Sequence, residues 1–417
     1  MSVLPRRISL LANATLPDGS CCDVEITGDT VSAVLPAGSA VARADAETID
    51  LSGYLLLTAP AEPHAHLDKA LSFDLINPPM GDLGLAIASW RDYSAVMTVE
   101  SIADRARAAA LLLVQNGTTA VRCHVDVLTG DDPLRGVRAL IQVRAELAGL
   151  IDIELAALAG PSIPSADVEA ALDLGVDLVG GAPHIGDDAS ADLKRLLAIA
   201  AARGIGVDIH TDENLDGAVT LTEMALAVRD WPKSMPVTAG HCVRLGTLEF
   251  EELDAVIVEV LASDIGIVTL PITNLYLQGW EHPVSTPRGI TATRRLLDAG
   301  VRLAAGADNV RDPFNPVGRS DALETASLLV TAGHLSLTEA YEAVSSGARD
   351  VMNLPLAGVI VGAKAELLAV RGNNLADVVA NAPADRFVIH RGSLIAHSET
   401  KHHMAPVQPA EPLSEKR

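Results

Sequence analysis

The chain has 417 residues, 49% of them hydrophobic and 20% charged, which is enough for a large core and two structural units. A net charge of −23 opposes nucleic acid and anionic membrane surfaces, because binding phosphate requires clustered Lys and Arg. No apolar run reaches the roughly 18 residues of a membrane span. The four cysteines lack CxxC spacing, so the expectation is a cytoplasmic protein with free thiols.

In chain order, residues 1–52 read as short strands with turns at Pro17-Asp18-Gly19 and Pro36-Ala37-Gly38. Eight β-like runs then alternate with amphipathic helical stretches. The runs are Leu55–Ala61, Thr119–Val125, Ile153–Leu158, Asp177–Ala182, Gly206–His210, Val237–His241, Gly266–Leu270 and Arg302–Gly306. Helical periodicity marks Pro133–Leu147, Ala189–Ala202, Leu248–Leu261 and Thr291–Ala299, with Gly204 and Gly300 just past two helix ends. This repeat predicts an α/β fold, a (β/α)8 TIM barrel. The competing doubly wound sheet lacks its Gly-x-Gly-x-x-Gly turn.

Beyond the barrel, Gly358–Gly362, Ala365–Val370 and Phe387–His390 read as strands. Neither flank can bury a sheet alone, so both chain ends are expected to share one small β-sandwich. The predicted division is residues 1–57 and 350–397 for the sandwich, 58–349 for the catalytic barrel, and a disordered tail at 398–417.

Barrel chemistry takes place at the carboxyl ends of the strands. Of the 12 histidines, His64, His66, His124, His184, His210 and His241 fall at such ends. In the segment Glu62-Pro63-His64-Ala65-His66-Leu67-Asp68, the two imidazoles are two residues apart and share one face of an extended strand. With His210 and Asp308, they form a nitrogen and carboxylate set that suits one divalent ion, zinc or iron. Glu213 lies three residues beyond His210 as a proton shuttle, and His241 would hydrogen-bond the attacking water. Asp308 would take the first proton from that water and is therefore catalytic as well as a ligand. His124 and Asp126 would orient the ligand imidazoles. His184, Asn309, Phe314 and Trp280 are candidate substrate contacts, with Trp90 and Tyr276 as further aromatic walls. Lys69 reads as a solvated or rim charge.

Seven segments resemble the amidohydrolase superfamily, and within it the bacterial cytosine deaminase-like branch. They are Glu62–Asp68, Arg122–Val127, Val179–His184, His210–Glu213, Thr238–His241, Asn274–Gly279 and Gly306–Pro316. The resemblance implies hydrolytic removal of an amino group from a small heterocyclic substrate, with His64, His66, His210 and Asp308 on the metal and Glu213 and His241 catalytic. A homo-oligomer is compatible with it. Three departures bear on the substrate. The glutamine expected after the third strand is absent from Ala157–Ser162, the expected His-Asp-Asp is Ala307-Asp308-Asn309, and a tryptophan is replaced by Phe314. Cytosine is therefore expected to be a poor substrate. The alternatives are removal of an alkylamine from a triazine-like ring, hydrolysis of a cyclic amide, and a metal-binding barrel without turnover.

Overall fold

The computed structural model describes residues 4–40 and 47–405. Eight parallel strands run in sequence order: Ala61–Ala65, Ala120–Asp126, Asp152–Ala159, Leu178–Gly181, Val207–Thr211, Val237–His241, Gly266–Thr269 and Leu303–Ala305. Nearly all their residues are buried, and helical segments link each strand to the next, as parallel pairing requires. A bridge between Ala65 and Asp308 returns the last strand to the first and closes the barrel. The Asp308 N–H donates to the His64 carbonyl there at 3.1 Å.

Seven of these strands lie within one or two residues of expectation. The first does not. Tyr54–Thr58 is a strand of another sheet, antiparallel to Leu367–Arg371, and the first barrel strand is Ala61–Ala65. Pro60, which has no N–H to donate, lies between the two. Pro63 sits inside the new strand, where the register with its neighbour shifts between Glu62 and Ala65. A bulge tolerates proline and re-aims the side chains that follow, here His64 and His66.

Both chain ends build the second sheet, which has nine strands among the described residues. Arg6–Arg7, Leu10–Thr15, Cys21–Thr27, Thr30–Pro36, Thr48–Asp50 and Tyr54–Thr58 come from one end, and Leu367–Arg371, Arg386–His390 and Ser393–Ser398 from the other. Leu11, Val24, Leu56, Leu367 and Ile389 share its apolar core. The strand expected at Gly358–Gly362 is instead a run of turns, with both glycines at positive φ. The last strand reaches Ser398, inside the predicted tail, and residues 406–417 of that tail lie outside the described residues. All four cysteines are free.

Glu62 fastens the barrel seam. Its carboxyl accepts from the Ala307 N–H at 2.9 Å and the His64 N–H at 3.2 Å. Gly306 leaves the space, because a Cβ there would overlap Glu62 Oε1. Burial pushes this carboxyl up to about 8. A raised folded value stabilises most below the unfolded value of 4.5, and that contribution fades as the pH rises through about 8. The wild type should therefore lose stability relative to Glu62→Gln between pH 5 and 8 in urea denaturation. A constant difference across that range would refute the assignment.

Candidate active site

Three strand ends bring four side chains to one point. Nε2 of His64 and Nε2 of His66 each lie 3.2 Å from His210 Nε2. Asp308 Oδ1 is 3.1 Å from His66 Nε2 and 3.9 Å from His64 Nε2. Ligands at 2.0–2.1 Å around a tetrahedral ion stand about 3.4 Å apart, close to this spacing. Burial, followed by the neighbouring charged groups, holds all three imidazoles well below their ordinary range, leaving them neutral with free lone pairs. Both Asp308 oxygens are buried without a hydrogen-bond partner among the described residues. Burial and the nearby carboxylates Glu213 and Asp312 push that carboxyl up, an arrangement that a cation would relieve. The donor set fits a divalent metal.

The backbone at these strand ends is specialised. Asp212, His241 and Asp308 have φ values of 49°, 65° and 62°, left-handed positions where side chains are uncommon. Gly240, beside His241, allows close approach, since a Cβ there would meet the His64 ring at 2.9 Å. Asp212 accepts from the Thr220 and Leu221 N–H groups at 2.9 and 3.1 Å and so pins the loop that carries Glu213.

Glu213 is buried between two histidines. Oε1 is 3.4 Å from His241 Nδ1, and Oε2 is 3.4 Å from His184 Nε2. Burial raises this carboxyl, but His241 and His184 outweigh it, so Glu213 lies below the usual range and is ionised. His241, lowered by burial to about 4, is neutral. Asn274 Nδ2 lies 3.1 Å from His241 Nδ1, and an amide donor there places the ring proton on Nε2. Nε2 is buried without a hydrogen-bond partner among the described residues.

Beneath the histidines lies a charged plug that sequence reasoning missed. Arg122 is fully buried and donates to Glu154 Oε2 at 2.6 Å, Asp208 Oδ2 at 2.7 Å and Thr238 Oγ1 at 2.9 Å. Asp208 Oδ1 is 3.3 Å from His124 Nε2, and the His124 ring stands 4.0 Å from His64. His124 also forms a triad of potential ligand atoms with His64 and His210. Asp208 carried a signal, since it lies two residues before His210 and so on the same face of that strand, whereas Asn274, 33 residues from His241, carried none beyond opening the segment Asn274–Gly279.

A cavity of about 190 Å³ opens onto the site, bordered by His66, His210, Glu213, His241 and Asp308. Asn309, Phe314 and Asp126 line it too. Trp280 does not: it is 48% exposed, and its Nε1 donates to the Tyr276 carbonyl at 2.6 Å. Trp90 takes the wall position instead, with its Nε1 donating to Asp126 Oδ2 at 2.6 Å. His184 lies behind Glu213 and is not among the lining residues. Lys69 is a correction. It is 4% exposed rather than solvated, with Nζ 2.7 Å from Asp126 Oδ1 and 3.1 Å from His66 Nδ1.

Residues 91–392 match the model of the Amidohydrolase family. The chain belongs to that family. Pterin deaminase of Rhizobium rhizogenes is 29% identical over 388 residues, which cover 90% of this chain and 88% of that one. N-isopropylammelide isopropyl amidohydrolase of Pseudomonas sp. strain ADP is 25% identical over 412 residues, 94% of this chain and 97% of the relative. The crystal structure of 5-methylcytosine deaminase from Klebsiella pneumoniae with 5-fluorocytosine superposes with a TM-score of 0.85 at 27% identity, covering 95% and 99% of the two chains. This amidohydrolase is thus a hydrolase of carbon–nitrogen bonds, on a TIM barrel whose histidine cluster can hold a metal.

Proposed function

We propose that this amidohydrolase is a hydrolytic deaminase that removes an amino group from a nitrogen heterocycle other than cytosine. The observation that carries this reading is the placement of ionised Glu213 and neutral His241, 3.4 Å apart, on the same cavity as the converged ligand atoms. Two of the relatives named above are deaminases, which supports it.

One divalent ion, zinc or iron, would be held by His64, His66, His210 and Asp308, and when bound would bring the pKa of a water towards neutral. Because Glu213 starts ionised, it can take the first proton of the attacking water and pass it to the ring nitrogen beside the amine. This inverts the sequence-based expectation that Asp308 receives that proton. His241 donates from Nε2 to the oxygen as it joins the carbon, with its ring held by Asn274. Asp308 takes the second proton of that oxygen and passes it to the amine, which leaves as ammonia while the ring gains a carbonyl.

Leu158, Gly160 and Ser162 form the wall where cytosine deaminases are expected to place an amide, and none of them can read both polar groups of a pyrimidine edge. A ligand edge buried without its partners is rejected. Metal-loaded protein screened for ammonia release against aminated pyrimidines, purines, pterins and triazines should turn over cytosine far more slowly than its best ring. Cytosine rivalling that ring would refute the exclusion. The apolar wall of Leu83, Ile87, Leu128 and Ile163 also favours a second reading, loss of an alkylamine. In the same screen that activity would yield alkylamine rather than ammonia.

A further inference from the structure

The Lys69 ammonium has more donors than the protein satisfies. Of its contacts, only Asp126 Oδ1, at 2.7 Å, is a clear acceptor. His66 Nδ1, 3.1 Å away, can accept at most one more of the three ammonium N–H groups. The second oxygen of Asp126 is taken by Trp90. The rings of Trp90 and Phe314 stand 5.6 and 6.0 Å from Nζ and flank it with aromatic surface. At least one N–H group of a 96% buried ammonium therefore borders the cavity without a protein acceptor among the described residues. Buried donors of this kind are costly unless water or a ligand accepts from them.

We infer that Lys69 selects the substrate through an exocyclic oxygen: the preferred class is rings that carry a carbonyl oxygen as well as the departing amine, over rings with a second amino group in its place. This rests on the deaminase reading and specifies its substrate. An ammonium can only donate. A ring oxygen substituent accepts from it, whereas an amino group would set N–H against N–H with both removed from water. The oxygen is necessary but not sufficient. Cytosine has one, yet its ring N–H would find no side-chain amide on the wall of Leu158, Gly160 and Ser162.

Two matched pairs test this directly: pterin against 2,4-diaminopteridine, and guanine against 2,6-diaminopurine. Turnover is followed as ammonia release, and affinity is measured by calorimetry in a Glu213→Gln background. Wild-type protein should favour the oxo member of a pair by at least about tenfold in kcat/KM and in affinity. Lys69→Met should bring that ratio near one. Lys69→Gln, whose amide oxygen accepts, should raise the diamino member specifically. Metal per chain is measured in each variant because Lys69 adjoins His66. If Lys69→Met loses metal, the ratio is judged on Lys69→Gln. A wild-type ratio near one, no binding by any of the four rings, or an unchanged ratio in the metal-replete variant overturns the inference. An intact affinity ratio without ammonia release would instead overturn the deaminase reading and leave the selection rule standing.

Discussion

Glu213→Gln should keep its metal and lose about 10²–10⁴-fold in kcat, the range expected when a positioned proton carrier is removed. The amide keeps the size of the side chain, and Glu213 is not among the converged ligand atoms, so the metal content should not change. What disappears is a group that can be charged, collect a proton and release it at a ring nitrogen. In the wild type both partners are ready near neutral pH, because His241 stays neutral down to about 4. Its protonation would set an acid limb of kcat/KM near pH 4, well below the ordinary histidine value of 6.5. Metal analysis beside an ammonia assay checks the prediction. A metal-replete Glu213→Gln enzyme working at wild-type rates would remove Glu213 from the mechanism.

The barrel was legible because its strands are short apolar runs of similar spacing, buried along nearly their whole length. The convergence of His64, His66, His210 and Asp308 was legible for a related reason, since all four lie at or just past strand ends. Composition could not assign Tyr54–Thr58, which is as apolar as a barrel strand. Its place depends on pairing with Leu367–Arg371 from the far end of the chain, and no local pattern reports such a pairing. Lys69 was misjudged on similar grounds. A lysine in a loop is ordinarily solvated, and here Asp126, 57 residues away, draws it inside. Of the two tryptophans expected as walls, Trp280 was preferred and Trp90 is the one that lines the cavity, because Trp90 lies on the helix Leu83–Ser94, where a buried aromatic looks like packing. Only the Asp126 contact shows that its indole faces the site.

Asp308→Asn should lose both metal and turnover, the latter by more than about a hundredfold, since damage even to groups behind a metal ligand costs 10–100-fold. The three imidazoles are neutral, so Asp308 would supply the only negative charge among the four converged groups. Without it, a doubly charged ion would sit in a buried site with no first-hand counter-charge, a strongly unfavourable placement. Asparagine suits this test better than alanine. Asp308 has φ 62°, a conformation asparagine tolerates, so the backbone bond from its N–H to the His64 carbonyl should survive. Circular dichroism should then show an intact fold, while dialysis against a weak chelator strips metal that the wild type retains. Full metal after that dialysis would mean that Asp308 is no ligand, and His124, whose ring nitrogen groups with those of His64 and His210, would become the next residue to test. Comparison with Glu213→Gln separates the two roles, since one variant should be a loaded enzyme without a proton carrier and the other a folded barrel that has lost its ion.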